Sequence, residues 1–234
     1  MRVFSLSLML VAAAAHAADA TELAQFLDAA EQIFAEQGFD GARIDAIAAA
    51  SSYNKSLIFQ YFGDKLKLYT AVLQRANREA TELQAQIMAP LLTNTHLATD
   101  AQQLRSFFES AFRAVFEHLL ARPRFLRILM WEMAEGWRTY TQVNEQLQST
   151  HIEQLETLFA TAQRAGLLRS AFSPAIQLTM ALQTCQLYLA SRPFYQTLLP
   201  NSDLTSADAL AQAREHVVNG IVASMMFDIS PNDT

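Results

Sequence analysis

The sequence predicts an all-α chain, and three observations carry that expectation. Apolar residues recur at helical spacing along extended stretches, and no segment sustains the apolar–polar alternation of a half-buried strand. Six glycines and six prolines punctuate runs that are otherwise long and unbroken. At 234 residues, 51% hydrophobic and 17% charged, the chain can bury a core and does not have the composition of a disordered one. Its length suits either one large domain or a small head joined to a body.

The elements follow in order. Met1-Arg2, the apolar run VFSLSLMLVAAAA and the small residues after it have the composition of a secretory signal. The stretch is too short, and too alanine-rich at its end, for a transmembrane span. Three readings stand open: a start assigned too far upstream, an apolar arm that is retained, and an exported chain. Over residues 22–37, Leu23, Phe26, Leu27, Ala30, Ile33 and Phe34 share one helical face, and Gly38 supplies a stop. Ile44, Ile47 and Ala48 form the apolar side of a second short helix at 44–50, which Ser51-Ser52 interrupts. Asn54 stands at the N-cap of a third, at 54–61. There Ile58 and Phe62 make an i, i+4 stripe and leave Lys55, Ser56, Gln60 and Tyr61 facing mostly outward. Two short helices across a tight turn, the second with a donor-rich outer face, read as a helix-turn-helix suited to a major groove.

Gly63-Asp64 breaks the chain before a helix at 65–88, and Pro90 with the polar run TNTH marks a hinge. The body begins near Asp100. Its expected helices are 100–120, 123–138, 141–165, 173–191 and 206–227, separated at Pro123, Gly166, Pro174, Pro193 and Pro200. In the last two helices IQLTMALQTCQLYLA and VVNGIVASMMF are apolar nearly all round, so they have a second surface to cover. Two such faces from two chains would make a four-helix dimer interface; a central helix in a monomeric core is the other reading.

Residues 22–73 resemble the DNA-binding head of the tetracycline-repressor (TetR) family of transcriptional regulators. The likeness is carried without a gap by FLDAAEQIFAEQGFDGARIDAIAAA, then YNKSLIFQYFGDK, then LKLYTAVL. The rest of the chain is similar to the family only in length and helical character. The resemblance implies a three-helix head joined by a long helix to a helical ligand-binding and dimerisation body. On that plan residues 1–20 are an appended extension, 21–65 the head, 66–89 the connecting helix and 90–234 the effector-binding and dimerisation domain. It further implies a homodimeric, ligand-responsive regulator, a repressor released from a double-stranded operator by a small apolar or amphipathic effector. Phe59 stands where the family usually has tyrosine, and Ser52 replaces the usual turn glycine, so a serine must adopt φ > 0.

Charge sharpens the expected DNA face. The chain carries −6 overall, and residues 21–65 hold three cations (Arg43, Lys55, Lys65) against seven carboxylates, a net −4. Since phosphate neutralisation drives non-specific affinity, this head should bind random DNA poorly. The three cations fall near helix N-termini, where backbone N–H groups also favour anions. Arg43, Lys55, Ser56, Gln60, Tyr61 and Lys65 are therefore the candidate DNA-contacting residues. Tyr61 has packing on the first helix as its alternative.

In the body, Phe107, Phe108, Phe112, Phe116, Met130, Trp131, Met133, Trp137 and Tyr188 fit either a core or an adaptable apolar cavity. Of these Phe108, Phe112, Trp131, Met133, Trp137 and Tyr188 are the candidate effector pocket. Glu132 and Glu135, beside Trp131, are open to two readings, a cationic ligand or water. Cys185, the single cysteine, reads as a buried small hydrophobe and excludes an internal disulfide. The histidines at 16, 96, 118, 151 and 216 lack ligand spacing, and no nucleophile–base set or phosphate loop stands out. The expectation is thus a cytoplasmic regulator that is not an enzyme, without metal, cofactor or membrane partner. The alternative is an exported helical binding or interaction protein with a non-functional head, separable by the mature N-terminus found in cells.

Overall fold

Ten helices follow one another among the residues that the computed structural model describes, which are 3–94, 96–144, 152–169 and 173–227, with side chains from residue 22 onward except at 79, 92, 143, 144 and 152. They are α1 (Val3–Gly41), α2 (Ile44–Ser51), α3 (Lys55–Phe62), α4 (Lys65–Thr93), α5 (Ala101–Leu120), α6 (Pro123–Ala134), α7 (Arg138–Asn144), α8 (Ile152–Arg164), α9 (Pro174–Leu198) and α10 (Ala207–Met225). The only β pairing among the described residues is an isolated antiparallel bridge between Leu168 and Met226. The all-α expectation holds. The side chains of the signal-like stretch at 1–20 lie outside the described residues.

The chain divides into two compact units, Met1–Asn77 with Arg127–Asn144, and Arg78–Leu126 with Glu145–Thr234. The expected plan of contiguous segments differs from this, because residues 127–144 pack with the head.

In the first unit Phe26, Phe34, Ile47, Ile58, Leu68, Tyr69 and Leu73 are buried to within 1% of completely. Each buried side chain of this size contributes about 1.5–3 kcal/mol, so most of the face read from the sequence holds the head together, while Leu23, expected on it, is 38% exposed. The Phe26 ring gathers Tyr53 at 4.6 Å, Tyr61 at 5.6 Å and Phe62 at 6.3 Å. Gly38 sits at φ 70, ψ 177, non-helical values that end the first helical stretch of α1 as expected, before a further turn to Gly41. The Ala35 carbonyl accepts from Arg127 Nε at 2.9 Å and from Trp131 Nε1 at 3.2 Å. Two α6 side chains thereby satisfy a carbonyl near the end of α1.

In the second unit α5 is capped by Asp100, whose Oδ1 accepts from the backbone N–H groups of Gln102 and Gln103, both at 2.9 Å. Leu104, Phe107, Phe108, Phe112, Phe116 and Leu119 form its buried face. It packs with α9 and α10, and α8 lies against α9. Arg113 on α5 reaches Glu215 on α10 through Nε, at 3.0 and 3.1 Å to the two carboxylate oxygens, and through Nη2 at 2.8 Å. Cys185 is fully buried on α9, and burial pushes its thiol up to about 11, as its reading as a small hydrophobe requires.

Four stretches differ from the expected ones. Pro90 and Pro193 lie inside α4 and α9, which run on to Thr93 and Leu198. A proline removes one hydrogen bond and kinks a helix, and flanking turns packed along their length can carry it through. The expected helix at 123–138 stops at Ala134, where the N–H of Gly136 donates to Met133 O and that of Trp137 to Glu132 O at 2.7 Å. This is the double return of a Schellman cap, with Gly136 at φ 74. The expected helix at 141–165 is represented by α7 and α8, with 145–151 outside the described residues.

Candidate nucleic-acid interface

The head builds its outer face from α2, the turn after it and α3. Ser52 closes α2 in the left-handed conformation at φ 62, ψ 17, the strained position expected of a serine in place of glycine. Asn54 Oδ1 accepts from Leu57 N at 2.8 Å and starts α3, and the Gly63 N–H closes it on Phe59 O at 2.8 Å. Ile58 is 1% exposed and pins α3 to the core. Lys55, Ser56, Phe59 and Gln60 are all exposed on the other side.

The six expected DNA-contacting residues do not share one fate. Ser56 and Gln60 face outward on α3, and Arg43 is exposed at the N-cap of α2 without capping it by its side chain. Lys55 is exposed too, with its ammonium 2.8 Å from Asp45 of α2. Tyr61 is 39% exposed, lies against Phe26, and donates to Glu22 at 3.3 Å, so its packing alternative describes it. Lys65 turns inward. Its ammonium donates to the carbonyls of Phe39 at 2.8 Å, Ala42 at 3.2 Å and Asp40 at 3.4 Å, and stands 4.6 Å from the Phe39 ring centre. With its donors committed to the α1–α2 turn, Lys65 is a buttress of the head rather than an outward phosphate contact.

Phe59 is the feature of this face that charge-led reading passes over. It is a large apolar side chain left 42% exposed in the middle of α3, and the only sequence signal for it was the missing hydroxyl.

Two family models match the chain: "Bacterial regulatory proteins, tetR family" over residues 26–72 and "Tetracyclin repressor-like, C-terminal domain" over residues 106–221. The chain belongs to the TetR family. Among curated TetR-type relatives, the HTH-type transcriptional repressor SCO4008 of Streptomyces coelicolor is 27% identical, over 85% of this chain and 94% of its own. The HTH-type transcriptional repressor NicS of Pseudomonas putida is 27% identical, over 71% of this chain and 74% of its own. A solved TetR-family regulator from Shewanella sp. PV-4 shares the fold at a TM-score of 0.60 and 15% identity, covering 88% of this chain and 99% of that one. This TetR-family member is accordingly a DNA-binding regulator of transcription, not an enzyme.

The six candidate effector residues divide between the two units. Trp131, Met133 and Trp137 belong to the first unit, and Phe108, Phe112 and Tyr188 to the second. Phe108 and Phe112 are core, stacked at 6.2 Å, with Phe159 5.7 Å from Phe108. Tyr188 stands 6.0 Å from Phe116. Neither open reading of Glu132 survives. It is 1% exposed, its Oε1 accepting from the Tyr69 hydroxyl at 2.5 Å and its Oε2 from Tyr140 N at 2.9 Å. The second unit instead has an open groove of about 590 Å³ between α4 and α5. Leu83, Ile87, Leu97 and Phe107 supply apolar walls, Gln86 and Ser106 polar ones, and no charged residue lines it. None of the six lines this groove. No helix among the described residues is long and apolar enough to cross a membrane.

Proposed function

We propose that this regulator is a cytoplasmic homodimeric repressor, released from its operator by a small uncharged amphipathic molecule that enters the α4–α5 groove. The observation that carries the reading is how α4 is used. It gives Leu68, Tyr69, Val72 and Leu73 to the core of the head, and Leu83, Gln86, Ile87 and Pro90 to the groove. A ligand in the groove therefore acts on the same rod that anchors the reading helices. A shift of a few kcal/mol between two settings of that rod is enough to change operator occupancy. The uncharged lining favours a neutral ligand, since an ion left without a counter-charge would carry a desolvation cost.

The dimer rests on α9. Ile176, Met180, Leu187, Phe194 and Leu198 are each between 51% and 61% exposed in the single chain. At 3.6 residues per turn their side chains fall within an arc of about 40°. Such a stripe is a seam awaiting a partner helix, and a second copy would give the dimer two α3 helices, one for each of two successive major grooves. Leu187→Asp and Phe194→Asp alter only side chains already in water, so each variant should stay folded by circular dichroism. Each should sediment as a monomer and lose operator binding; a soluble dimer from both would place the seam elsewhere.

For the effector, Ala111→Phe fills the groove from α5. The filled variant should keep operator affinity and lose release by whichever neutral compound frees the wild type. Release that is unchanged in Ala111→Phe would exclude the groove as the effector site.

A further inference from the structure

The aromatic side chains of α1, α3 and α4 in the head lean on one another, with one exception. Tyr53, Tyr61 and Phe62 all lean on Phe26, and Phe34 and Phe39 on Tyr69. Phe59 joins neither cluster. No ring lies at pairing distance from it among the described residues, and it is left 42% exposed at the centre of α3. The fold has no use for it there, since Ile58 already anchors the helix at 1% exposure.

Its neighbours define what it can meet. Lys55 lies one turn before it on the same face, and Ser56 and Gln60 flank it, all exposed. Lysine suits a phosphate or a guanine edge, serine several base edges, and glutamine the N6/N7 edge of adenine. A phenyl ring has no hydrogen bond to offer a base edge or a phosphate. The group it can cover in a major groove is the C5-methyl of thymine, the one apolar patch on that surface.

We infer that Phe59 is a specificity-determining residue that reads a thymine methyl in each half-site, beside an adenine contact by Gln60. Covering the ring and the methyl removes apolar surface from water on both partners, and this gain needs no cation. That matters in a head whose residues 21–65 carry a net −4 and whose Lys65 is committed to backbone carbonyls. The inference rests on α3 being the reading helix, and the experiment separates the two.

The probe is a duplex enriched by the full-length protein from a randomised library, compared with copies in which single thymines are replaced by deoxyuridine. That replacement deletes the methyl and leaves every hydrogen-bonding group in place. One thymine position per half-site should be sensitive, losing about fourfold in affinity when one half-site is changed and about fifteenfold when both are. Phe59→Ala should bind the thymine and deoxyuridine duplexes equally, while Phe59→Leu should keep a preference for thymine. A thermal melt of Phe59→Ala close to that of the wild type verifies that the loss is not one of folding. Wild-type affinity indifferent to deoxyuridine at every position would overturn the proposal. A thymine preference that persists undiminished in Phe59→Ala would overturn it as well. Enrichment of no duplex at all would strike the reading helix itself, and the inference with it.

Discussion

The Tyr69 hydroxyl on α4 donates a 2.5 Å hydrogen bond to Glu132, a carboxylate on α6 that is 1% exposed. The other oxygen of Glu132 takes the Tyr140 N–H at 2.9 Å. Burial, and then the carboxylate itself, push the phenol far above its usual range, so it stays a donor through ordinary alkaline conditions. Tyr69→Phe leaves a buried carboxylate short of one partner and should cost about 1.5–3 kcal/mol in urea unfolding. Glu132→Gln keeps one acceptor for two donors and sets its NH2 against the other, so it should cost at least as much. Equal stability of Tyr69→Phe and the wild type would remove the pair from the forces that hold residues 127–144 on the head.

A second expectation concerns Asp45, whose carboxylate holds the Lys55 ammonium at 2.8 Å. The two side chains are 73% and 49% exposed, so the pair adds little stability. Its effect is on DNA, because Asp45 occupies a cation that a phosphate would otherwise take. Asp45→Asn should tighten operator and random-sequence binding alike, with an unchanged thermal midpoint. Lys55→Ala should weaken binding and flatten the salt slope by about one unit. Titrations across a range of salt concentrations check both. Weaker binding by Asp45→Asn would reverse the assigned role.

The turn between α2 and α3 offers a stabilising change. Ser52 holds φ 62 and is exposed. Replacing it by glycine relieves a left-handed strain of about 1–2 kcal/mol, offset in part by the greater freedom of glycine when unfolded. Ser52→Gly should raise stability by about 0.5–1 kcal/mol. Denaturant midpoints of the two proteins decide it, and a destabilised variant would contradict the strain.

The body should be acid-sensitive at one clamp. Hydrogen bonds from Arg113, and then from Arg214, hold the Glu215 carboxyl below its ordinary value. A carboxylate lowered on folding adds stability that is complete above its unfolded value, near 4.5. That contribution is lost as pH falls through the folded value. Glu215→Gln should therefore lower stability at neutral pH and flatten the decline below about pH 4.5. Unfolding curves over pH 3–7 that run parallel for variant and wild type would dismiss the clamp.

Much of the head was legible because its signals are local. Asn54 caps α3 three residues from the N–H it accepts, Gly63 closes the same helix, and the stripe of Phe26, Ala30, Ile33 and Phe34 needs only the helical period. The fate of Lys65 was not legible, since its acceptors are carbonyls 23 to 26 residues earlier. Lys55 met a similar obstacle, because Asp45 reaches it across a turn rather than along a helix. In the body, Trp131 and Phe108 look alike as composition, and only packing assigns one to the head and the other to the body core. Pro193 misled for a different reason. A local helix-breaking preference was overridden along an α9 whose Ala181, Cys185 and Leu189 are anchored in the core.

The buried thiol makes the protein its own reporter. Cys185 is the single cysteine, it is 0% exposed on α9, and its thiol is pushed up to about 11. A thiol reagent at neutral pH can reach it only when that helix swings open, so the labelling rate counts native-state openings of α9. An event of that kind, invisible to a melting curve, would be timed across the whole sample, with no cysteine to be engineered in.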